Sequence, residues 1–244
     1  MEEQMDKSRL SGKDIPARER LIFALDVPSH SEARELAGRL GDSVHSYKLG
    51  LEIFMAGGYY ELIDWLVKEK QKKVFVDLKF FDIANTVKSA VRQLKGRGVT
   101  FATVHGNEDM LRAAVAAESG LKILAVTVLT SLDQKDLQDL GFTVDVEKLV
   151  LSRARRALEA GCAGVISSGL EAPKLRDELG DRFLVVSPGI RPVANTDDQK
   201  RTVSVEKAFL NGADYIVVGR PIKDAPDPRE AAEQIQQRIQ KLFG

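Results

Sequence analysis

Val74-Phe75-Val76-Asp77-Leu78-Lys79-Phe80-Phe81-Asp82-Ile83-Ala84-Asn85-Thr86 is the stretch on which the reading of this chain turns. An apolar run passes straight into Asp, Lys and Asp at spacings of two and three, and a helical pattern follows over Asn85–Gly96. Lys and Asp are seldom buried unless paired, so charges at the mouth of a buried strand point to chemistry rather than solubility. A Lys between carboxylates stays protonated and is held in one direction, as a proton donor must be.

The same strand-then-helix unit recurs outward in both directions. Strands are predicted at Leu21–Asp26, Ser43–Gly50, Lys73–Leu78, Phe101–His105, Leu121–Val128, Gly164–Ser167, Phe183–Ser187 and Tyr215–Val218. Helices are predicted at Ser31–Leu40, capped by Ser29 or Ser31, and at Gly58–Lys70, Asn85–Gly96, Glu108–Glu118, Val146–Ala160, Ala172–Leu179, Val205–Asn211 and Arg229–Leu242. Eight such units describe a (β/α)8 TIM barrel of the α/β class, in a single domain. The strands are apolar on both faces, as parallel strands covered by helices should be. A doubly wound open sheet is the competitor. No Gly-rich dinucleotide turn follows the first strand, where the sequence is Ala24-Leu25-Asp26-Val27-Pro28-Ser29.

Composition narrows the function. The 36 Lys and Arg balance 36 Asp and Glu, which argues against a nucleic-acid groove or an anionic membrane surface. The single cysteine, Cys162, excludes an internal disulfide and a Cys-based metal site. No apolar run approaches the roughly 20 residues of a membrane span. Residues 1–18 are charged and lack an apolar core, unlike a secretory signal. The expectation is a flexible polar tail over residues 1–19, a catalytic barrel over 20–244, and a cytoplasmic location.

In a barrel, function sits at the C-terminal ends of the strands. There the sequence places Asp26, Lys48, Asp77, Lys79 and Asp82, then Thr130-Ser131, Pro188-Gly189-Ile190-Arg191 and Gly219-Arg220. The first group alternates in charge, balancing itself and fixing each ammonium. The second is cationic and Gly-rich. Glycines admit backbone amides close to an anion, Arg matches phosphate oxygens, and barrels often hold phosphate after strands seven and eight. Together they imply a phosphorylated small-molecule substrate.

These pieces resemble the orotidine 5′-phosphate decarboxylase family. The resemblance runs from about residue 20 to the C-terminus. It is carried by Leu25-Asp26, Lys48-Leu49-Gly50, Asp77 through Thr86, Thr127-Val128-Leu129-Thr130-Ser131, Pro188-Gly189-Ile190-Arg191-Pro192, Asp198-Gln199 and Val218-Gly219-Arg220-Pro221-Ile222. It implies conversion of orotidine 5′-monophosphate to UMP and carbon dioxide, without metal or organic cofactor. It also implies a homodimer in which Asp82, Ile83 and Thr86 reach the partner's site. Asp26 and Lys48 would then hold the ribose hydroxyls and the charge network. Thr130 would lie near the pyrimidine, and Gln199, Gly219 and Arg220 would grip the phosphate beside Arg191. Residues 192–200 would form a polar closing loop. Lys79 would be the proton donor, between Asp77 and the partner's Asp82.

Two other functions compete. A sugar-phosphate decarboxylase or aldolase on a related barrel would share the third-strand motif but use a divalent metal. Its second strand would typically end in Glu, where this chain has Lys48. A non-catalytic phosphate-ligand-binding barrel would keep the Arg and Gly pieces without needing the Asp/Lys array. Bland readings stand beside the sharp ones: Arg191 and Arg220 pairing with local carboxylates such as Asp224, His105 as a structural residue, Cys162 as packing, and Asn85 as a helix cap.

Overall fold

The computed structural model describes residues 6–191 and 201–244. Among them, eight parallel strands close in chain order into one barrel. They are β1 (Leu21–Ala24), β2 (Ser46–Leu49), β3 (Lys73–Phe80), β4 (Val99–Val104), β5 (Lys122–Val126), β6 (Gly164–Ile166), β7 (Leu184–Ser187) and β8 (Tyr215–Val218). β8 returns to β1 with Leu21 opposite Ile216, which rules out the open sheet.

The helices form the outer layer: α1 (His30–Leu40), α2 (Leu51–Met55), α3 (Tyr59–Asp64), α4 (Ala84–Arg92), α5 (Glu108–Val115), α6 (Gln134–Asp139), α7 (Val146–Glu159), α8 (Ala172–Leu179), α9 (Val205–Leu210), α10 (Arg220–Lys223) and α11 (Pro228–Phe243). Ser29 caps α1 by accepting from Glu32 N, settling the choice between the two serines. The second predicted helix, over Gly58–Lys70, is two pieces, because α3 widens into a π-helix over Trp65–Glu69. Asn85 is not a cap: α4 begins at Ala84 after Ile83, with no side-chain cap, and Asn85 lies in its first turn. The short helices α2, α6 and α10 lie in segments read as loops, being too brief to show a 3.6-residue period.

Most of the apolar burial lies between sheet and helices, as it must when each strand is covered on its outer face. A second, smaller cluster fills the barrel itself. It comprises Ile22, Ala24, Phe75, Phe101, Leu124, Leu184, Val186, Tyr215 and Val217. At its centre Phe101 meets Phe75 edge-on at 5.9 Å and Tyr215 at 5.4 Å. The barrel is therefore packed, not hollow, and its open end begins above Phe75.

The N-terminal mouth is closed by residues preceding β1. Ile15 packs against the inner cluster. Fully buried Asp214 accepts from Ser11 Oγ at 2.5 Å, Lys13 Nζ at 2.9 Å, Arg176 Nη2 at 2.7 Å and Val185 N at 2.8 Å. Buried Arg20 donates to the carbonyls of Asp214 and Lys13 and stacks over Phe243 at 3.8 Å.

Candidate active site

Successive residues of a strand face opposite sides of the sheet, so every second residue continues the inward column. Ile22 and Ala24 of β1, and Phe75 of β3, belong to the inner cluster. Two residues beyond Ala24 and Phe75 come Asp26 and Asp77, and Lys48 pairs in register with Ala24. The charges are thus the top layer of the barrel filling. They line a cavity of about 270 Å³ with Ala24, Phe75, Lys79 and Val126.

The four charges alternate in space as in sequence. Lys48 Nζ lies 3.5 Å from Asp26 Oδ1 and 3.3 Å from Asp77 Oδ2, and Lys79 Nζ lies 3.0 Å from the same Asp77 oxygen. Asp77 and Lys48 are largely buried, while the Lys79 side chain is 33% and Asp26 41% exposed. A Cβ at Gly50 would come within 2.9 Å of Asp26 Oδ1 and 3.3 Å of Lys48 Nζ, so the glycine keeps space for that pair.

Lys79 reaches the cavity through strained backbone. Its φ is +49°, a left-handed conformation uncommon for residues other than glycine. The strain coincides with a break in register: Val76 pairs with Ala102 and Phe80 with Val104, so β3 takes four steps where β4 takes two. Thr103 fixes the resulting bulge. Its hydroxyl accepts from Lys79 N at 2.9 Å and donates to Asp77 Oδ1 at 2.9 Å. One buried side chain therefore orients both the carboxylate and the backbone of the lysine.

Thr130, Pro188, Gly189, Arg191, Gly219 and Arg220 line the same cavity. Arg191 is buried, with Nη1 on the Ile190 carbonyl at 2.8 Å, whereas Arg220 is exposed at the start of α10. The array and the cationic loops predicted from sequence therefore share one cavity. Asp82, Ile83 and Thr86 do not line it. They lie exposed where β3 passes into α4, and Asp82 Oδ1 accepts from Ile83 N. Gln199 and the expected closing loop, 192–200, lie outside the described residues.

Sequence reasoning missed two residues here. Thr103 follows Phe101 by two, so the inward column of β4 was the signal for it. Lys223 follows Arg220 by three and ends the single turn of α10. It lines the cavity and donates to the Asp26 carbonyl at 3.1 Å. His105, by contrast, lies outside the cavity lining. Arg153 Nη1 approaches its Nε2 at 3.3 Å and donates to the Thr127 carbonyl at 2.6 Å, and the Phe81 ring lies 5.8 Å away. Burial holds its pKa below the usual 6.5, with Arg153 and Lys79 adding to the effect. Cys162 is buried and its thiol pushed up to about 12, as befits a packed small residue. Among the described residues, no group of three or more His, Cys, Asp or Glu is arranged to hold a metal ion.

A model of the orotidine 5′-phosphate decarboxylase / HUMPS family matches residues 19–235. The chain belongs to this family. Orotidine 5′-phosphate decarboxylase of Methylococcus capsulatus is 63% identical over 236 residues, 96% of this chain and 97% of that one. The Xanthomonas axonopodis enzyme of the same name is 50% identical, covering 92% of this chain and 93% of its own. Among solved structures, the crystal structure of the Lactobacillus acidophilus orotidine 5′-phosphate decarboxylase superposes with a TM-score of 0.79 at 36% identity. It covers 91% of this chain and 99% of its own. The Lys48 ammonium fills the gap between Asp26 and Asp77.

Proposed function

We propose that this chain is a carboxy-lyase that converts orotidine 5′-monophosphate to UMP and carbon dioxide in pyrimidine biosynthesis. The observation that carries the reading is the Asp26–Lys48–Asp77–Lys79 array, at 3.0–3.5 Å spacings, in one cavity with Arg191, Gly219 and Arg220. The array suits a reaction that needs a fixed cation and a proton. Arginines and glycine after β7 and β8 suit a phosphate.

In this reading the bond from C6 to the carboxylate breaks and its electron pair stays on C6. That pair lies in an sp² orbital without a neighbouring carbonyl to delocalise it. Stabilisation must then come from charge placed beforehand. The Lys79 ammonium, oriented by Asp77 and by Thr103 through the backbone, faces C6 and delivers its proton there. Asp77 lies near the departing carboxylate. Asp26 and Lys48 hold the ribose hydroxyls, Thr130 lies near the pyrimidine, and Arg191, Gln199, Gly219 and Arg220 hold the phosphate. Phosphate binding is remote from C6, so its energy can order the site for the transition state.

The active unit in this reading is a cytoplasmic homodimer, with Asp82, Ile83 and Thr86 of each subunit completing the neighbour's site. Exposed Phe81 and Ile83 after β3, and exposed Leu51 and Met55 on α2 after the neighbouring β2, support an apolar contact at this end of the barrel. Mixing Lys79→Ala and Asp82→Ala proteins tests it. Subunit exchange should restore turnover, because one site of each mixed dimer is intact. No recovery despite exchange rules out sharing.

The direct test of the activity is loss of absorbance on adding orotidine 5′-monophosphate, with and without chelator. Turnover unaffected by chelation is expected. Absence of turnover, with activity on a sugar phosphate that chelation abolishes, would favour the metal-dependent arm of the family. Tight nucleotide binding without any turnover would favour a binding barrel.

A further inference from the structure

The loop after β5 forms one wall of the cavity, with Val128, Leu129, Thr130 and Ser131 all lining it. Three successive carbonyls of this wall accept from a single residue. Arg201 Nη2 donates to Val128 O at 3.0 Å and Leu129 O at 2.8 Å, and Arg201 N donates to Thr130 O at 3.3 Å. The other arm of the guanidinium, Nη1, meets Glu171 Oε1 at 2.5 Å, with both side chains about nine-tenths buried. Ser167 Oγ donates to the second Glu171 oxygen, and Ser168 Oγ to the Arg201 carbonyl.

The segment that carries Arg201 also reaches a second wall. Val203 O accepts from Arg191 N at 2.9 Å, and Val203 N donates to Gly189 O at 3.3 Å. Residues 201–203 therefore join the wall bearing Thr130 to the wall bearing Arg191. Neither Arg201 nor Glu171 lines the cavity. A buried ion pair is a poor way to gain stability alone, since an apolar pair of similar volume often serves as well. A planar fork that meets a carboxylate and two carbonyls in fixed directions serves geometry instead.

We propose that Arg201, locked by Glu171, is a positioning residue that sets the distance between the Thr130 wall and the Arg191 wall. It thereby lets one substrate engage both at once. This rests on the decarboxylase reading, which puts the ring of the substrate at Thr130 and its phosphate at Arg191.

The test compares wild-type, Arg201→Lys and Glu171→Gln proteins in three measurements: kcat/KM for orotidine 5′-monophosphate, binding of UMP against ribose 5-phosphate, and the thermal midpoint. A lysine keeps a charge for Glu171 but cannot also span both carbonyls. Arg201→Lys should lower kcat/KM about 100-fold, the scale of a misplacement near 1 Å. It should weaken UMP binding and leave ribose 5-phosphate binding and the thermal midpoint near wild type. Glu171→Gln should shift the same ligand ratio by less. Unchanged kcat/KM and an unchanged ligand ratio would overturn the proposal. So would equal loss of both ligands in step with the thermal midpoint, which is the mark of a merely structural pair. Should Arg201→Lys fail to fold, the ligand ratio in Glu171→Gln decides. Failure of the decarboxylase reading shows separately, as a wild-type protein without turnover.

Discussion

Both mouths of the barrel hold an aspartate among cations, and the two clusters differ in nearly every other respect. At the N-terminal mouth, Asp214 is fully buried and accepts four bonds of 2.5–2.9 Å from Ser11, Lys13, Arg176 and Val185. At the C-terminal mouth, Lys48 stands 3.3–3.5 Å from two carboxylates, and Lys79 is a third exposed on a left-handed backbone. The first cluster is saturated: each Asp214 oxygen has two close donors and the side chain is fully buried. The second is longer in its contacts, strained and open to a cavity. Strain and incomplete burial survive where the surrounding structure enforces them, and they concentrate where a ligand completes the site. Identical residue types thus serve as a lock at one end and as a prepared site at the other.

Substitutions at the two ends should separate activity from stability. Lys79→Ala should lower kcat by three orders of magnitude or more, because a fixed charge contributes ~10²–10³ and a positioned proton donor ~10²–10⁴. Its unfolding free energy should stay near wild type, since alanine keeps the same backbone, the lost ion pair is partly exposed, and Asp77 retains Lys48 and Thr103. Near-normal turnover would remove Lys79 from the chemistry. Asp214→Asn should do the opposite. Breaking a buried pair from one side costs about 3 kcal/mol, read as a lower urea midpoint. The folded protein should keep kcat/KM within twofold or so of wild type. A large activity loss without destabilisation would show that the two mouths are coupled.

Thr103 tests the intermediate case, a buried neutral group serving the open cluster. Thr103→Val keeps the shape but removes both the acceptor for Lys79 N and the donor to Asp77. An unmet buried partner costs ~1–3 kcal/mol, so kcat should fall roughly 10-fold at 1.4 kcal/mol per decade. A loss of stability with unchanged kcat would make Thr103 a fold residue only.

The fold was legible because eight strands each cover their outer face with a helix, and that rhythm survives in sequence as apolar runs and amphipathic periods. Strand existence came through more clearly than strand ends. β3, for instance, runs two residues past its predicted limit at Leu78, because the bulge at Lys79 returns Phe80 to pairing. The charged half of the site was readable for the same reason as the fold: Asp26 and Asp77 extend inward columns that are otherwise apolar, and Lys48 ends the neighbouring column above Ser46. Thr103 was hidden because a threonine in a strand is unremarkable until its neighbour across the ladder is known. Arg201 was harder still. Its partners, Glu171 and the carbonyls of residues 128–130, lie 30 and about 72 residues away, and no local pattern announces a contact made at that range.

The smallest effect concerns the two mouths' histidines. His105 follows β4 at the C-terminal mouth, and His45 precedes β2 at the other. Burial lowers both pKa values below the usual 6.5, aided by Arg153 and Lys79 at His105 and by Lys72 and Arg18 at His45. A lowered folded value means that the unfolded chain takes up the proton first as pH falls. Stability from a neutral histidine is therefore full above about pH 6.5 and is lost as pH drops through the folded value. His105→Gln should flatten part of that acid decline in urea unfolding free energy between about pH 7.5 and 5.5, and His45→Gln a further part. Neither should move the acid limb of kcat, because neither histidine lines the cavity. A shift of the kcat profile in His105→Gln alone would instead tie the Arg153–His105 contact to the chemistry at the open mouth.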